Sequence, residues 1–294
     1  MRSSLSLLLG ATPLFSSVTA IYYAQSDVYQ GSNFFDRFDF MTFDDPTSGY
    51  VDYKSRSDAD SLGLLKTASS TTGSNKWGVG LKKLDPYDNS IRGRPSVRIE
   101  GTTSYTKGLF IADIAHMPGN ACGVWPAFWT IGSGDWPYNG EIDIIEGVNM
   151  LTSNKNSLHS GNKQCTLQTG GVSMTGSVAT SNCQTVASGT GQGTGVAANF
   201  FDYTGCGIQS AKNDNFGTPF NAGGGGTYAM EWTDNFIKIW SFPRGYEPPS
   251  IKCGAPDVND FGLPDAYFSG CDIGANFKEN RLVFDTTFCG TWAG

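Results

Sequence analysis

Histidine is scarce in this chain of 294 residues: only His116 and His159 are present. Metal chemistry built on several histidines therefore has little to draw on. Charged side chains are also few, at 16%, and the 20 basic residues are outnumbered by 27 acidic ones, for a net charge of −7. A chain this acidic does not offer the basic surface that nucleic acids or anionic membranes require. Several signatures are missing. There is no G-x-S-x-G for a serine hydrolase, no H-E-x-x-H for a metalloprotease and no C-x-x-C for zinc ribbons or thioredoxin chemistry. No N-x-S/T glycosylation sequon occurs. The glycine run Gly189–Gly195 is not followed by the Lys-Ser/Thr of a phosphate loop and reads as low-complexity loop. No long apolar run follows the N-terminal one, no repeat is visible, and helical periodicity is hard to find.

What is abundant points to an ordered β protein. Hydrophobic residues make up 39%, aromatics 13%, and there are 38 glycines, enough apolar surface for a sizeable core. Short strand-like runs recur between Gly, Asn, Ser and Asp: Ser96–Glu100, Gly108–Ala112, and Tyr228–Trp232 followed by Phe236–Trp240 across a turn at Thr233-Asp234-Asn235. That last pair predicts a β-hairpin. Many such strands with Gly-rich turns predict an all-β sandwich or jelly roll, which commonly exceeds 200 residues as one domain. Residues 161–226 are rich in Gly, Ser, Thr and Asn and read as long loops pinned by disulfides.

Residues 1–20 have the form of a secretory signal peptide. Arg2 is basic, Leu5–Leu9 is the centre of an apolar run, and Val18-Thr19-Ala20 suits cleavage. The expected division is 1–20 signal peptide and 21–294 a single domain, secreted and extracellular. Export places the seven cysteines in an oxidising compartment, where structural disulfides are expected. An odd number leaves one thiol unpaired.

The segment Gly140-Glu141-Ile142-Asp143-Ile144-Ile145-Glu146-Gly147 sets three acids among residues that favour a strand. Alternation places Glu141 and Asp143 on one face but sends Glu146 to the other. A β-bulge at Ile144-Ile145 adds one residue and returns Glu146 to the first face. Clustered carboxyls on an apolar strand repel one another and are poorly solvated, which raises a pKa and suits a general acid. Four effective strand steps separate the two Glu Cα atoms by about 13 Å. Side chains leaning together would leave about 5 Å between carboxyls, the separation of a retaining glycosidase. A solvated acidic face or a calcium site is the plainer alternative.

Just upstream, Trp125-Pro126-Ala127-Phe128-Trp129 leads into a Gly/Asp/Pro loop carrying Trp136. On a strand, Trp125 and Trp129 share a face, and Pro126 and Phe128 take the other. Exposed indoles stack on sugar rings, although core packing is the commoner fate of a strand aromatic.

These pieces resemble family 16 of the glycoside hydrolases, most closely its fungal secreted endo-1,3(4)-β-glucanases, or laminarinases. Further matching segments are Asp45–Gly49, Ser96–Ile99, Asn156–His159, Tyr228–Trp232 and Cys289–Gly294, so the likeness spans the chain beyond its leader. The E-x-D-x-x-E form is similar to the laminarinase branch and unlike the shorter E-x-D-x-E of the lichenase and xyloglucan transglycosylase branches. The resemblance implies an all-β jelly-roll sandwich of two antiparallel sheets with a long concave cleft, so that 21–294 is the catalytic domain. It makes Glu141 the nucleophile, Glu146 the general acid/base and Asp143 the assisting residue that tunes the nucleophile. Trp129 and Trp136 match sugar-stacking positions, and Arg98, His159 and Trp292 match other substrate-binding positions in the cleft. His116 reads as structural. The implied partner is β-glucan, cleaved at 1,3 and mixed 1,3/1,4 linkages by a monomer needing no cofactor or catalytic metal. A structural calcium ion has no support in the sequence. A wall-remodelling transglycosylase or a non-catalytic glucan-binding lectin on the same sandwich are the competing readings. Relatives continue past the Trp-Ala-Gly segment, often to a further cysteine. A truncated C-terminus with Cys289 as the unpaired thiol is therefore expected.

Overall fold

Alternation of side chains builds the site from below. Ile142 and Ile144 are almost fully buried, at 0% and 1% exposure, and lie on the face opposite Glu141 and Asp143 of the same strand. The computed structural model describes residues 23–80, 92–161, 164–185, 187–188, 200–201 and 204–294. The proposed signal peptide and the Gly189–Gly195 run lie outside these.

Two antiparallel sheets carry the fold. Their strands, in chain order, are β1 (Phe38–Met41), β2 (Arg98–Tyr105), β3 (Gly108–Ile114), β4 (Val124–Gly132), β5 (Glu141–Glu146), β6 (Lys155–His159), β7 (Ser177–Thr180), β8 (Cys206–Gln209), β9 (Gly226–Trp232), β10 (Ile237–Pro243), β11 (Ala266–Phe268) and β12 (Asn280–Phe288). The larger sheet has eight strands in the order β1-β2-β12-β4-β5-β6-β8-β7, and the smaller has four in the order β11-β10-β9-β3. The predicted hairpin is present as β9 and β10, with Trp232 opposite Ile237. Its turn is held by Thr233, whose Oγ1 accepts from the amides of Asn235 and Phe236. Among the described residues no helix is long and apolar enough to cross a membrane.

The core fills the space between the sheets. The large sheet contributes Phe128, Ile142, Ile144, Leu158 and Ile208, and the small sheet Tyr228, Met230, Trp232, Ile239 and Phe268. Each such side chain contributes about 2 kcal/mol of burial. Phe128 lies flat on Phe284 with centroids 4.2 Å apart. This is the inward orientation that its neighbours Trp125 and Trp129 do not share. The outer face of the large sheet is left to polar chemistry.

The loop reading of residues 161–226 needs correction. Within that segment β7 and β8 complete one edge of the large sheet, and Gly217–Ala222 forms a short helix. Glycine and serine masked a strand whose alternate residues Cys206 and Ile208 are fully buried. Disulfides do pin the region: Cys183 bonds Cys206, and Cys165 reaches outside it to Cys271. The expectation of a single unpaired thiol is also corrected, because Cys122, Cys253 and Cys289 are all free and exposed. Cys253 ends the helical turn Pro249–Lys252, Cys122 lies in the loop before β4, and Cys289 follows β12.

Closing a 106-residue loop with the Cys165–Cys271 bond removes about 4–5 kcal/mol of freedom from the unfolded chain. A Cys165→Ser/Cys271→Ser variant is expected to lose stability of that order in a urea titration. A loss below about 1 kcal/mol would show that the bond is not a structural staple.

Candidate active site

The register of β4 against β5 brings the three acids to one face. Ile131 lies opposite Glu141, Trp129 opposite Asp143 and Ala127 opposite Glu146, with the register shifting between Phe128 and Trp129. Phe128 opposes Ile145, so Ile144 is the extra residue of a β-bulge. Six residues of β5 thus span five of β4, and Glu141 and Glu146 face the same way about 13 Å apart at Cα. β6 extends the face by placing His159 opposite Glu141 and Ser157 opposite Asp143.

Each glutamate is held by one indole. Trp136 Nε1 donates to Glu141 Oε2 at 2.8 Å, and Trp125 Nε1 donates to Glu146 Oε1 at 3.0 Å. His159 sits behind the first pair. Its Nε2 is 3.3 Å from Asp143 Oδ2 and 3.6 Å from Glu141 Oε1, and its Nδ1 lies 3.3 Å from Thr185 Oγ1. Asp143 is 3% exposed, and its Oδ2 has no hydrogen-bond partner among the described residues.

Burial pushes the carboxyls of Glu141, Asp143 and Glu146 each up to about 8, because little water reaches them. For the two glutamates, repulsion from Asp143 adds to this, while His159 and the indole N–H groups oppose it. For Asp143, Lys155 opposes the rise. The three titrate as a set that retains protons at neutral pH. A group of this kind can shuttle a proton and present an ionised oxygen a few ångströms away.

Trp292 joins the Glu146 side. Its ring meets Trp125 edge-on at 5.3 Å, with Lys155 Nζ 5.2 Å from its centroid. Trp136 is half-buried, 6.0 Å from His159. Trp129 and Arg98 lie deeper than open sugar-binding positions would. They are 9% and 5% exposed, and Arg98 lies 4.8 Å from the Trp129 ring centroid. The Arg98 guanidinium forks onto Glu100 at 3.0 and 2.9 Å, while Trp129 Nε1 donates to Asp285 at 3.1 Å. Arg98 therefore reaches the cleft floor through Trp129 rather than through an open face. His116 is exposed and takes no part in the cluster.

Several participants were not legible beforehand: the Trp125 contact with Glu146, Asp285, Lys155 and Thr185. Their partners lie far away in sequence, and no local spacing signals them. Glu141, Asp143 and His159 place one ligating atom each within 4.8 Å of one another and could hold a cation. The histidine nitrogen and small number of oxygens do not suit calcium, which takes six to eight oxygen ligands.

Two stacked antiparallel sheets, with a carboxyl row and indoles on the outer face of the larger one, make up a jelly roll. The chain belongs to glycoside hydrolase family 16, and residues 38–294 match the model described as XgeA-like, catalytic GH16 domain. It is 45% identical over 273 residues to the endo-1,3(4)-beta-glucanase xgeA of Emericella nidulans, covering 92% of this chain and 40% of that protein. A probable endo-1,3(4)-beta-glucanase of Aspergillus fumigatus is 45% identical over 99% of this chain and 43% of its own length. The chain thus spans less than half the length of these relatives. Among solved structures, an elongating family 16 beta-1,3-glucosyltransferase superposes with a TM-score of 0.80 at 45% identity, covering 92% of this chain and 84% of that one. Laminarinase 16A of Phanerochaete chrysosporium, solved with 6-O-glucosyl-laminaritriose in donor and acceptor sites, gives 0.78 at 36% identity, covering 93% and 87%.

Between 4.5, the ordinary glutamate value, and about 8, the folded chain holds more protons than the unfolded one. Stability therefore falls as pH rises through that window. The melting temperature is expected to decline across it, and Asp143→Asn to flatten the decline. The same slope in Asp143→Asn and wild type would contradict a shared protonation of these carboxyls.

Proposed function

We propose that this domain is a retaining endo-β-glucanase, secreted, acting on 1,3- and mixed 1,3/1,4-linked β-glucan. The observation that supports this most is the bulged register, which brings Glu141 and Glu146 to one face of the strand with an indole on each. Glu146 gives its proton to the glycosidic oxygen as the C–O bond breaks, and Glu141 bonds to the anomeric carbon. Water then attacks that carbon, Glu146 takes the water's proton, and the bond to Glu141 breaks. Asp143 and His159 set the protonation of Glu141, and Trp136 orients it. The relatives named as glucanases support the substrate class, and the two disulfides agree with export to an oxidising compartment.

A second reading keeps the same intermediate but gives it to a sugar hydroxyl instead of water. It is favoured by the likeness to the elongating glucosyltransferase.

Glu141→Gln is expected to show no laminarin cleavage above background, and Glu146→Gln a loss on the order of a hundred- to ten-thousandfold. Reducing-sugar release and NMR of the first-formed anomer check both. Wild-type-like turnover of Glu141→Gln, or an inverted product, would refute the assignment. Product lengths at high laminari-oligosaccharide concentration separate the two readings: growth beyond the starting length indicates transfer.

A further inference from the structure

The bulge that turns Glu146 toward the cleft breaks the hydrogen-bond ladder on the β6 side. β6 pairs with β5 only at Glu141, Ile142 and Asp143. Beyond Asp143, the backbone groups that bulging leaves over are met by side chains. Asn154 Nδ2 donates to the carbonyl of Ile144 at 2.9 Å, and Asn154 Oδ1 accepts from the amide of Glu146 at 2.8 Å. One side-chain amide thus supplies the donor and acceptor that a third strand would have offered. Asn156 Nδ2 adds a second donor to the Ile144 carbonyl at 2.8 Å.

Asn154 is itself fixed. It is 1% exposed. Its backbone amide donates to Asn215 Oδ1 at 2.9 Å, and its carbonyl accepts from the amide of Ser210 at 3.0 Å. Asn215 Nδ2 in turn donates to Ser210 Oγ and Ser241 Oγ at 3.0 and 3.1 Å. The chain of buried amides leads away from the cleft and touches Glu146 only through its backbone.

We propose that Asn154 is a positioning residue for Glu146: it holds the bulge in the one arrangement that keeps the Glu146 carboxyl in reach of the glycosidic oxygen. The proposal rests on the acid/base reading of Glu146. Its physical content is selectivity. Glu141 and Asp143 are anchored by backbone pairing to both β4 and β6, so loss of the Asn154 amide moves Glu146 and leaves them in place. Asp at position 154 would keep the acceptor for the Glu146 amide but set a carboxylate oxygen against the Ile144 carbonyl. Ser would be too short to bridge both groups.

The test compares two substrates in Asn154→Asp and Asn154→Ser, with a cooperative melt as the check of folding. Laminarin releases a poor leaving group that must be protonated. Dinitrophenyl β-laminaribioside releases a phenolate that leaves without a proton. A displaced general acid is expected to lower kcat/KM on laminarin about a hundredfold, the scale of a 1 Å misplacement. On the dinitrophenyl glycoside kcat/KM should fall less than about threefold, because that bond breaks without the general acid. Equal losses on the two substrates, or none on laminarin, would overturn the proposal. If neither variant melts cooperatively, Asn215→Ser carries the test. It removes the acceptor of the Asn154 amide and is expected to give the same selective loss at about tenfold, since positioning is loosened and not abolished. Failure of wild type to cleave either substrate would instead overturn the glucanase reading itself.

Discussion

One extra residue in a six-residue strand governs the outer face of the large sheet. Glu141 and Glu146 are an odd number of residues apart, and a strand of period two would hold them on opposite faces. The bulge at Ile144 removes that conflict. It also fixes the two glutamate Cα atoms at four strand steps, since Ala127 and Ile131 oppose them on a regular neighbour. The neighbour's regularity is what makes the spacing firm. β4 pairs without interruption to β12 along nine residues, so the irregularity is confined to β5.

The second constraint is solvation. Buried charges elsewhere on this face are matched: Arg98 and Arg281 both bind Glu100, and Arg98 lies 4.0 Å from Asp285. Glu141 and Glu146 instead receive indole N–H groups, which orient an oxygen without supplying a full charge. Water is largely excluded, and His159 offsets the loss only in part. That is the condition in which a carboxyl keeps its proton near neutral pH. The isoleucines on the reverse face offset the cost of placing the acids there, because the strand is anchored in the core by residues that gain from burial.

Much of this was legible in the sequence, for reasons of periodicity. Alternation in Glu141–Glu146 required the bulge, and alternation in Trp125–Trp129 separated the indoles from Phe128. The β9–β10 hairpin followed from its runs and its turn. What escaped depends on contacts distant in the chain. Strands β7 and β8 were hidden because glycine, serine and asparagine around them resemble a loop, and only the pairing of β8 to β6 and of β7 to β8 makes them strands. No local spacing in the sequence marks Asn154 or Asn156, yet each faces the bulge with a side-chain amide. Arg98 and Trp129 could be placed on the cleft side but not at their depth, which is set by Glu100, Asp285 and Arg281.

The two glutamates are also held differently. On the Glu141 side, Thr185 meets His159 two residues after Cys183, whose disulfide to Cys206 ties that loop to the edge of the sheet. On the Glu146 side the wall is Trp292, carried by a single helical turn, Gly290–Ala293, against Trp125. In the double displacement proposed for this domain, the nucleophile would meet one carbon in one geometry, and rigidity there costs nothing. The acid/base must serve a departing sugar and then an incoming water or hydroxyl. Sequence changes in the Trp125–Trp292–Lys155 wall would therefore act on the choice of acceptor, while changes around His159 and Thr185 would act on formation of the covalent bond. On the proposed mechanism, hydrolysis and transfer would then diverge without disturbing the carboxyl row.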